Sequence, residues 1–500
     1  MIDFNRKKNI SLIVSSGILM FFLAGCASLR QPDYTFNKKY SATDLKEDVT
    51  VLRNVFEANH PSQYWYISKD SMDYYFNQTY NSITDSLTEI QFHNKVAWVV
   101  SKIRCGHTSV RFSNAYSKLY DKNKYPMFPI FLKTWRDSMV IVKNLLPDDS
   151  VLKQGTIITG INGRSNAALL DSMFQFISTD GYSQIHKSQI LSLNFPAWYK
   201  IVFGLDSSYQ IQYIDAVGKP ATTIVKNFSP KKDSTKQAAT PIAKISRSEK
   251  RKLSLQNKRS MQIDSSVNTA YIRLTTFGNG RLRTFFRRSF KTIRKQSIKN
   301  VVIDLRENGG GNVEKSILLT KYLADTAFKV GDTVAAVSRS FKYGKYIRSS
   351  FWYWFPMHLG ARKMSDGRIH QHRMETHYFQ PKSTNHFNGN IYLVQGGYTF
   401  SAATMFISAI KGQHNVKVVG EESGGGNYGN SAMYILTVVL PNSHIKVGLP
   451  MYRVVLKASR TKDGKGIMPD IEAAPSSESI RKNIDPKIST IRTLIQSGKQ

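Results

Sequence analysis

The chain has 500 residues, 41% of them hydrophobic and 12% aromatic, and 70 Lys and Arg stand against 35 Asp and Glu for a formal net charge of +35. That length and apolar content exclude a disordered chain and allow several domains with a sizeable core. The positive balance suits anionic lipid, acidic polymers or nucleic acid, but no zinc-finger or RNA-binding signature accompanies it, and the export signal at the start argues against nucleic acid.

Arg6, Lys7 and Lys8 precede an apolar run from Ile10 to Phe22 and the small-residue site Leu23-Ala24-Gly25-Cys26. The run is too short and wrongly flanked for a transmembrane helix, so residues 1–25 read as a signal peptide. Its end resembles the bacterial lipoprotein box, which implies cleavage before Cys26, lipidation of that thiol and a membrane-anchored envelope protein. Each buried acyl methylene contributes about 0.8 kcal/mol, so several chains anchor stably. Ala27 to Arg30 carries no acidic export tag, which favours the periplasm-facing side. Cys105 is then the one cysteine left, and no internal disulfide can form.

Residues 26–42 are polar and read as a tether. The spacing of Leu45, Val49, Leu52, Val55 and Phe56, then of Phe92, Val96, Val99 and Val100, predicts an N-terminal helical domain over 43–125, closing with a short hairpin around Cys105-Gly106-His107-Thr108. From 126 to 228 the pattern is β-rich: Phe128 to Leu132 and Met139 to Val142 read as strands, Asn162-Gly163 as a tight turn, Asn166 to Ile177 as a helix, and Tyr209 to Asn227 as a hairpin. Gly155-x-Ile157-Ile158-x-x-Ile161-Asn162-Gly163 resembles the PDZ domain, which implies peptide binding by strand addition. Residues 229–262 are Lys- and Arg-rich with few apolar positions and predict a disordered or loosely helical basic linker, suited to anionic lipid headgroups if held near a membrane.

Strand and helix patterns then alternate over 263–475. Thr269 to Leu274, Asn300 to Leu305, Ile391 to Val394 and Val416 to Gly420 read as strands; Leu282 to Lys295, Glu314 to Ala324 and Ala402 to Lys411 read as helices. This predicts an α/β core with helices on the faces of a parallel or mixed sheet. An aromatic and basic insertion, including Phe351 to Phe355, interrupts it between Phe341 and Asn388. Within 476–500, Pro486 to Ser497 predicts a terminal helix, capped by Asp485 and stopped by Gly498.

The chemistry centres on Ser401, at a strand-to-helix turn where unpaired amides favour negative charge. Serine there is also an ordinary N-cap, so its company decides. Asp304 to Gly311 places three glycines directly after a buried strand, where a backbone can approach a ligand closely. Neither the P-loop spacing nor the Rossmann Gly-x-Gly-x-x-Gly spacing is present.

Four motifs in order carry a resemblance: Asp304 to Gly311, Thr399 to Ala403, Val419 to Gly425, and Gly466 to Ile471. Together they resemble the S41 serine peptidases, the C-terminal processing proteases and their tricorn-like relatives. The resemblance implies a ClpP/crotonase-like βα core and an acyl-enzyme mechanism without cofactor or metal. The processing proteases use a lysine, but Gly426 stands in its place here and no lysine lies between Lys417 and Lys446. The tricorn-like pattern instead implies His107 as general base and Asp463 as the acid that orients it, with Ser401 as nucleophile. Gly309, Gly310 and Ala402 are the expected oxyanion donors. Cys105 and His107 stand two apart, but two ligands do not make a zinc site. The expectation is a lipid-anchored envelope endopeptidase acting on unfolded or C-terminally presented proteins. The missing lysine also fits an inactive relative that holds peptides.

Overall fold

The computed structural model describes residues 34–122, 125–135, 138–230 and 245–498. The expected signal peptide, Cys26 and part of the basic linker lie outside them. Residues from Lys39 onward group into one unit. Among the described residues no helix is long and apolar enough to cross a membrane.

A six-stranded sheet organises the C-terminal half. Its strands are β1 (Arg259–Asp264), β2 (Thr269–Leu274), β3 (Asn300–Asp304), β4 (Asn390–Gln395), β5 (Val416–Gly420) and β6 (Ile471–Glu472), side by side in that order. β1 is antiparallel to β2, and the other neighbours are parallel. β3 and β4 read as near-continuous apolar runs because both faces are covered, as parallel sheets require. Val301, Ile303, Ile391 and Leu393 face a core shared with helices Leu282–Lys295, Val313–Leu323 and Ala402–Ile410. The alternate residues Val302, Tyr392, Val394 and Val419 face the other way, onto Ile491 of the terminal helix Pro486–Ser497. That helix begins where Asp485 accepts from the Lys487 and Ile488 amides, and it stops at Gly498 in the left-handed region. It is tied down by Lys487, whose Nζ meets Glu421 at 2.8 Å with both side chains nearly buried.

The residues expected as linker hold more structure than their composition predicts. Ser246 and Glu249 form a capping box for helix Arg247–Lys258, which buries no residue, and β1 follows as an edge strand of the sheet. Charge pattern alone concealed this strand, because one half-exposed edge needs few apolar residues.

The N-terminal helices Ala42–Asn59 and Glu89–Ser101 carry the two apolar stripes read from the spacing, and helix Lys69–Asn81 lies between them in the chain. Their apolar face, including Leu52, Phe56, Phe92 and Val96, shares one core with Val334, Val438, Val447 and Tyr452 from far along the chain. The hairpin expected around Cys105 does not form. Val110–Arg111 instead pairs with Lys446 and Val447, at the edge of a four-stranded sheet with Leu436–Val439 and Ile347–Arg348. Strands from 130 to 226 and helices Asn166–Phe174, Gln184–Leu193 and Phe195–Phe203 enclose a separate core around Phe128, Tyr199 and Tyr209. Asn162 and Gly163 both take positive φ in the tight turn predicted there.

Candidate active site

Ser401 ends the turn between β4 and helix Ala402–Ile410 with φ 54° and ψ −123°. A non-glycine residue in that region costs on the order of 1–3 kcal/mol and persists only where its surroundings over-determine it. Here the turn is bound on every side. The Gly396 amide donates to Thr399 Oγ1 at 3.0 Å, and that hydroxyl donates to the Leu305 carbonyl at 2.9 Å. The Phe400 amide donates to the Asn308 carbonyl at 3.0 Å, and the Gly425 amide to the Thr399 carbonyl at 3.1 Å. The Ser401 hydroxyl caps no helix amide, so the ordinary N-cap role is not the one this serine performs.

The glycine-rich turn after β3 lies against it. A Cβ built on Gly310 would stand 2.6 Å from Ser401 Cβ and 3.0 Å from the Ala402 nitrogen, at φ +99°. Only glycine fits that approach. The expected role of the Gly310 amide is not free, however: it donates to Asn308 Oδ1 at 2.9 Å, and Asn308 is itself buried and anchored on the Leu274 carbonyl. Gly309 and Ala402 remain as donors, since neither amide is engaged among the described residues. Ala402 opens a buried helix, where the dipole adds to its pull on an anion.

His107 arrives on a loop stitched from both sides. The Gly106 amide donates to Asp180 Oδ1 at 2.8 Å, Ser178 Oγ to the Thr108 carbonyl at 2.8 Å, and the Gly448 amide to the Ser109 carbonyl at 3.0 Å. The imidazole packs on the Phe400 ring at 4.7 Å, one residue from the serine. His186 stacks on the same ring at 4.8 Å and donates from Nδ1 to the Gly397 carbonyl at 2.8 Å, which fixes its tautomer. His107 Nδ1 is buried and has no hydrogen-bond partner among the described residues. No hydrogen bond joins His107 to Ser401 among them either. A cavity of about 500 Å³ opens over Gly106, His107, His186, Gly309, Tyr398 and Phe400.

The carboxylate grouped with this histidine is Asp180, not Asp463. A ring nitrogen of His107, an Asp180 oxygen and Cys105 Sγ all lie within 4.8 Å of one another. Burial pushes the Asp180 carboxyl up to about 7, against the lowering effect of its hydrogen bonds from the Gly106 and Gly426 amides. Burial also brings His107 down to about 3, with neighbouring His186 acting the same way, and pushes the Cys105 thiol up to about 11. At neutral pH the imidazole is therefore uncharged, while the thiol keeps its proton.

Asp463 sits on an exposed turn and accepts from the Lys465 amide at 3.0 Å. Its neighbour Gly464 takes the Tyr182 amide on its carbonyl, so that turn braces the segment carrying Asp180. Asp470 ties strands together, accepting from the Val418 amide at 2.8 Å. Gly426, where the dyad lysine was sought, turns its amide to Asp180. Sequence reasoning missed Asp180 because Thr179-Asp180-Gly181 belongs to no motif. The only signal was an Asp-Gly pair directly after the helix of the β-rich module.

Residues 268–473 match the model of peptidase family S41. Among solved structures, mature CPAF is similar with a TM-score of 0.60 and 11% identity, over 92% of this chain and 99% of that one. CPAF complexed with lactacystin gives 0.61 and 11%, over 91% and 98%. The photosystem II D1 C-terminal processing protease gives 0.38 and 13%, over 86% and 92%. The two CPAF structures share the fold of this chain. No curated protein sequence matches it.

Proposed function

Through residues 268–473 the chain belongs to peptidase family S41 and is a peptidase of the serine type, and we propose that Ser401 is its nucleophile, His107 its general base and Asp180 the carboxylate that orients the base. Ser401 Oγ attacks the scissile carbonyl, and its proton passes to the uncharged imidazole directly or through one water. The Ala402 and Gly309 amides receive the oxyanion. The imidazolium then protonates the leaving amine, and water repeats the sequence on the acyl-enzyme. Asp180 replaces Asp463 in this reading, with Asp463 bracing its segment. The observation that carries it is the strained, uncapped serine packed against Gly310 in a turn held by four hydrogen bonds.

The substrates of this reading are unfolded or C-terminally presented proteins, taken by the PDZ-like module 126–228 as an added strand. Its support is that helix Gln184–Leu193 of that module carries His186 to the site. Cys26 anchors the chain in the envelope on the periplasm-facing side, and the exposed basic helix Arg247–Lys258 meets anionic headgroups.

The test is to treat the purified full chain with a fluorophosphonate probe and with an unfolded protein, beside Ser401→Ala, His107→Ala, Asp180→Asn and Asp463→Asn. Labelling and cleavage should vanish in the first two variants, fall at least 100-fold in the third and survive in the fourth. Cleavage that persists in Ser401→Ala rejects the nucleophile. Loss in Asp463→Asn with retention in Asp180→Asn returns the acid's role to Asp463. A chain that never labels is the inactive peptide-holding relative.

A further inference from the structure

Helix Ser350–His358, in the insertion between β3 and β4, turns its apolar side chains outward. Tyr353 and Met357 face inward: Met357 is buried, and Tyr353 packs on Tyr434 at 5.5 Å between ring centres. Phe351, Trp352, Trp354 and Phe355 occupy the opposite side at helical spacing i, i+1, i+3 and i+4, which is one continuous face. They are 80%, 77%, 52% and 63% exposed. Side chains of this size at those exposures present on the order of 500 Å² of aromatic surface, as much as the largest patch of a typical monomer. A short helix cannot hold such a face in water for its own stability, so the face has an occupant.

The charge pattern identifies its chemistry. From Lys342 to Lys363 the sequence carries Lys342, Lys345, Arg348, Arg362 and Lys363, all exposed, and no acidic residue. Two tryptophans and two phenylalanines on one side of a helix too short to span a bilayer, with cations on the segments entering and leaving it, match the interfacial zone of a membrane containing anionic lipid. There aromatic rings settle at the headgroup boundary and lysines meet phosphates. We propose that this helix docks on an anionic bilayer surface as a contact separate from any lipid anchor.

The docking has a geometric consequence. Arg348 pairs with Thr437, and Thr437 lines the cavity that holds His107. A docked helix directly follows a strand whose neighbour lines that cavity, so docking ties the cavity to the membrane surface. This consequence rests on the proposed active site; the docking does not.

Tryptophan quenching tests it. The full chain bearing Ser401→Ala is bound to vesicles of phosphatidylcholine and phosphatidylglycerol with brominated acyl chains. Emission from Trp352 and Trp354 should be quenched, and the Trp352→Phe, Trp354→Phe variant should lose at least two thirds of the quenched signal while keeping an aromatic face. Reversing the five cations to glutamate should reduce quenching at least threefold, and so should vesicles of phosphatidylcholine alone. Vesicle-bound protein whose two tryptophans stay unquenched overturns the proposal. So does shielding of them by an unfolded polypeptide in lipid-free solution, which assigns the face to substrate. Shielding that instead grows with protein concentration assigns it to a second copy and equally overturns it.

Discussion

Asp180→Asn changes one atom and removes one titration. The Asp180 carboxyl moves from an ordinary 3.8 to about 7 because burial disfavours the carboxylate more than two amides favour it. Between those values the unfolded chain has released a proton that the folded chain still holds. Folded stability from this group therefore falls as pH rises from about 4 to about 7 and is flat beyond. A difference of that size corresponds to about 4 kcal/mol. Buried histidines oppose it: His60 and His107 are lowered to about 3, and His93 and His186 to about 4. Each holds stability above the unfolded value of about 6.5 and loses it as pH falls toward its folded value. The wild-type profile mixes both signs, but its difference from Asp180→Asn isolates the carboxyl. Urea midpoints at pH 5 and pH 8 should show the variant gaining on the wild type by a few kcal/mol between the two. Parallel profiles, or a variant that loses ground as pH rises, refute the burial argument.

The same titration governs activity. Peptide cleavage should rise with pH through about 7 as Asp180 ionises, with His107 uncharged throughout, and residual activity of Asp180→Asn should lack that limb. Gly310→Ala drives a methyl into Ser401 at a strained φ, and kcat should fall about 100-fold or more with KM little changed; Gly309→Ala, which meets only the edge of the Tyr398 ring, should be milder in steady-state assays. Lys487→Met leaves Glu421 buried without its partner and should cost about 3–5 kcal/mol in denaturation, most of it recovered when Glu421→Leu is added.

The parts of the fold most legible in the sequence were those with local causes. Helix Pro486–Ser497 has its cap at Asp485 and its stop at Gly498 because both are short-range hydrogen-bond effects. Strand β4, the turn and helix Ala402–Ile410 follow from an apolar run meeting small residues. What sequence could not reveal depends on residues far apart. The partner of Val110–Arg111 lies more than three hundred positions on, so a local hairpin looked equally good. The Gly310 amide looked available until Asn308 was seen to occupy it. Asp180 comes from a module with its own core, and no spacing rule connects it to His107. Motifs record what a backbone must do nearby, and a carboxylate delivered from another module leaves none.

The strand that follows His107 takes its partner from Lys446–Leu449, well past the serine. A ribosome releases this polypeptide from its N-terminus, so the imidazole emerges well before the strand that pairs beside it. Until that late strand arrives, the loop has only its nearer ties to Ser178 and Asp180, and one side of its seat is unbuilt. The seat of the imidazole is thus completed only when most of the chain has been made.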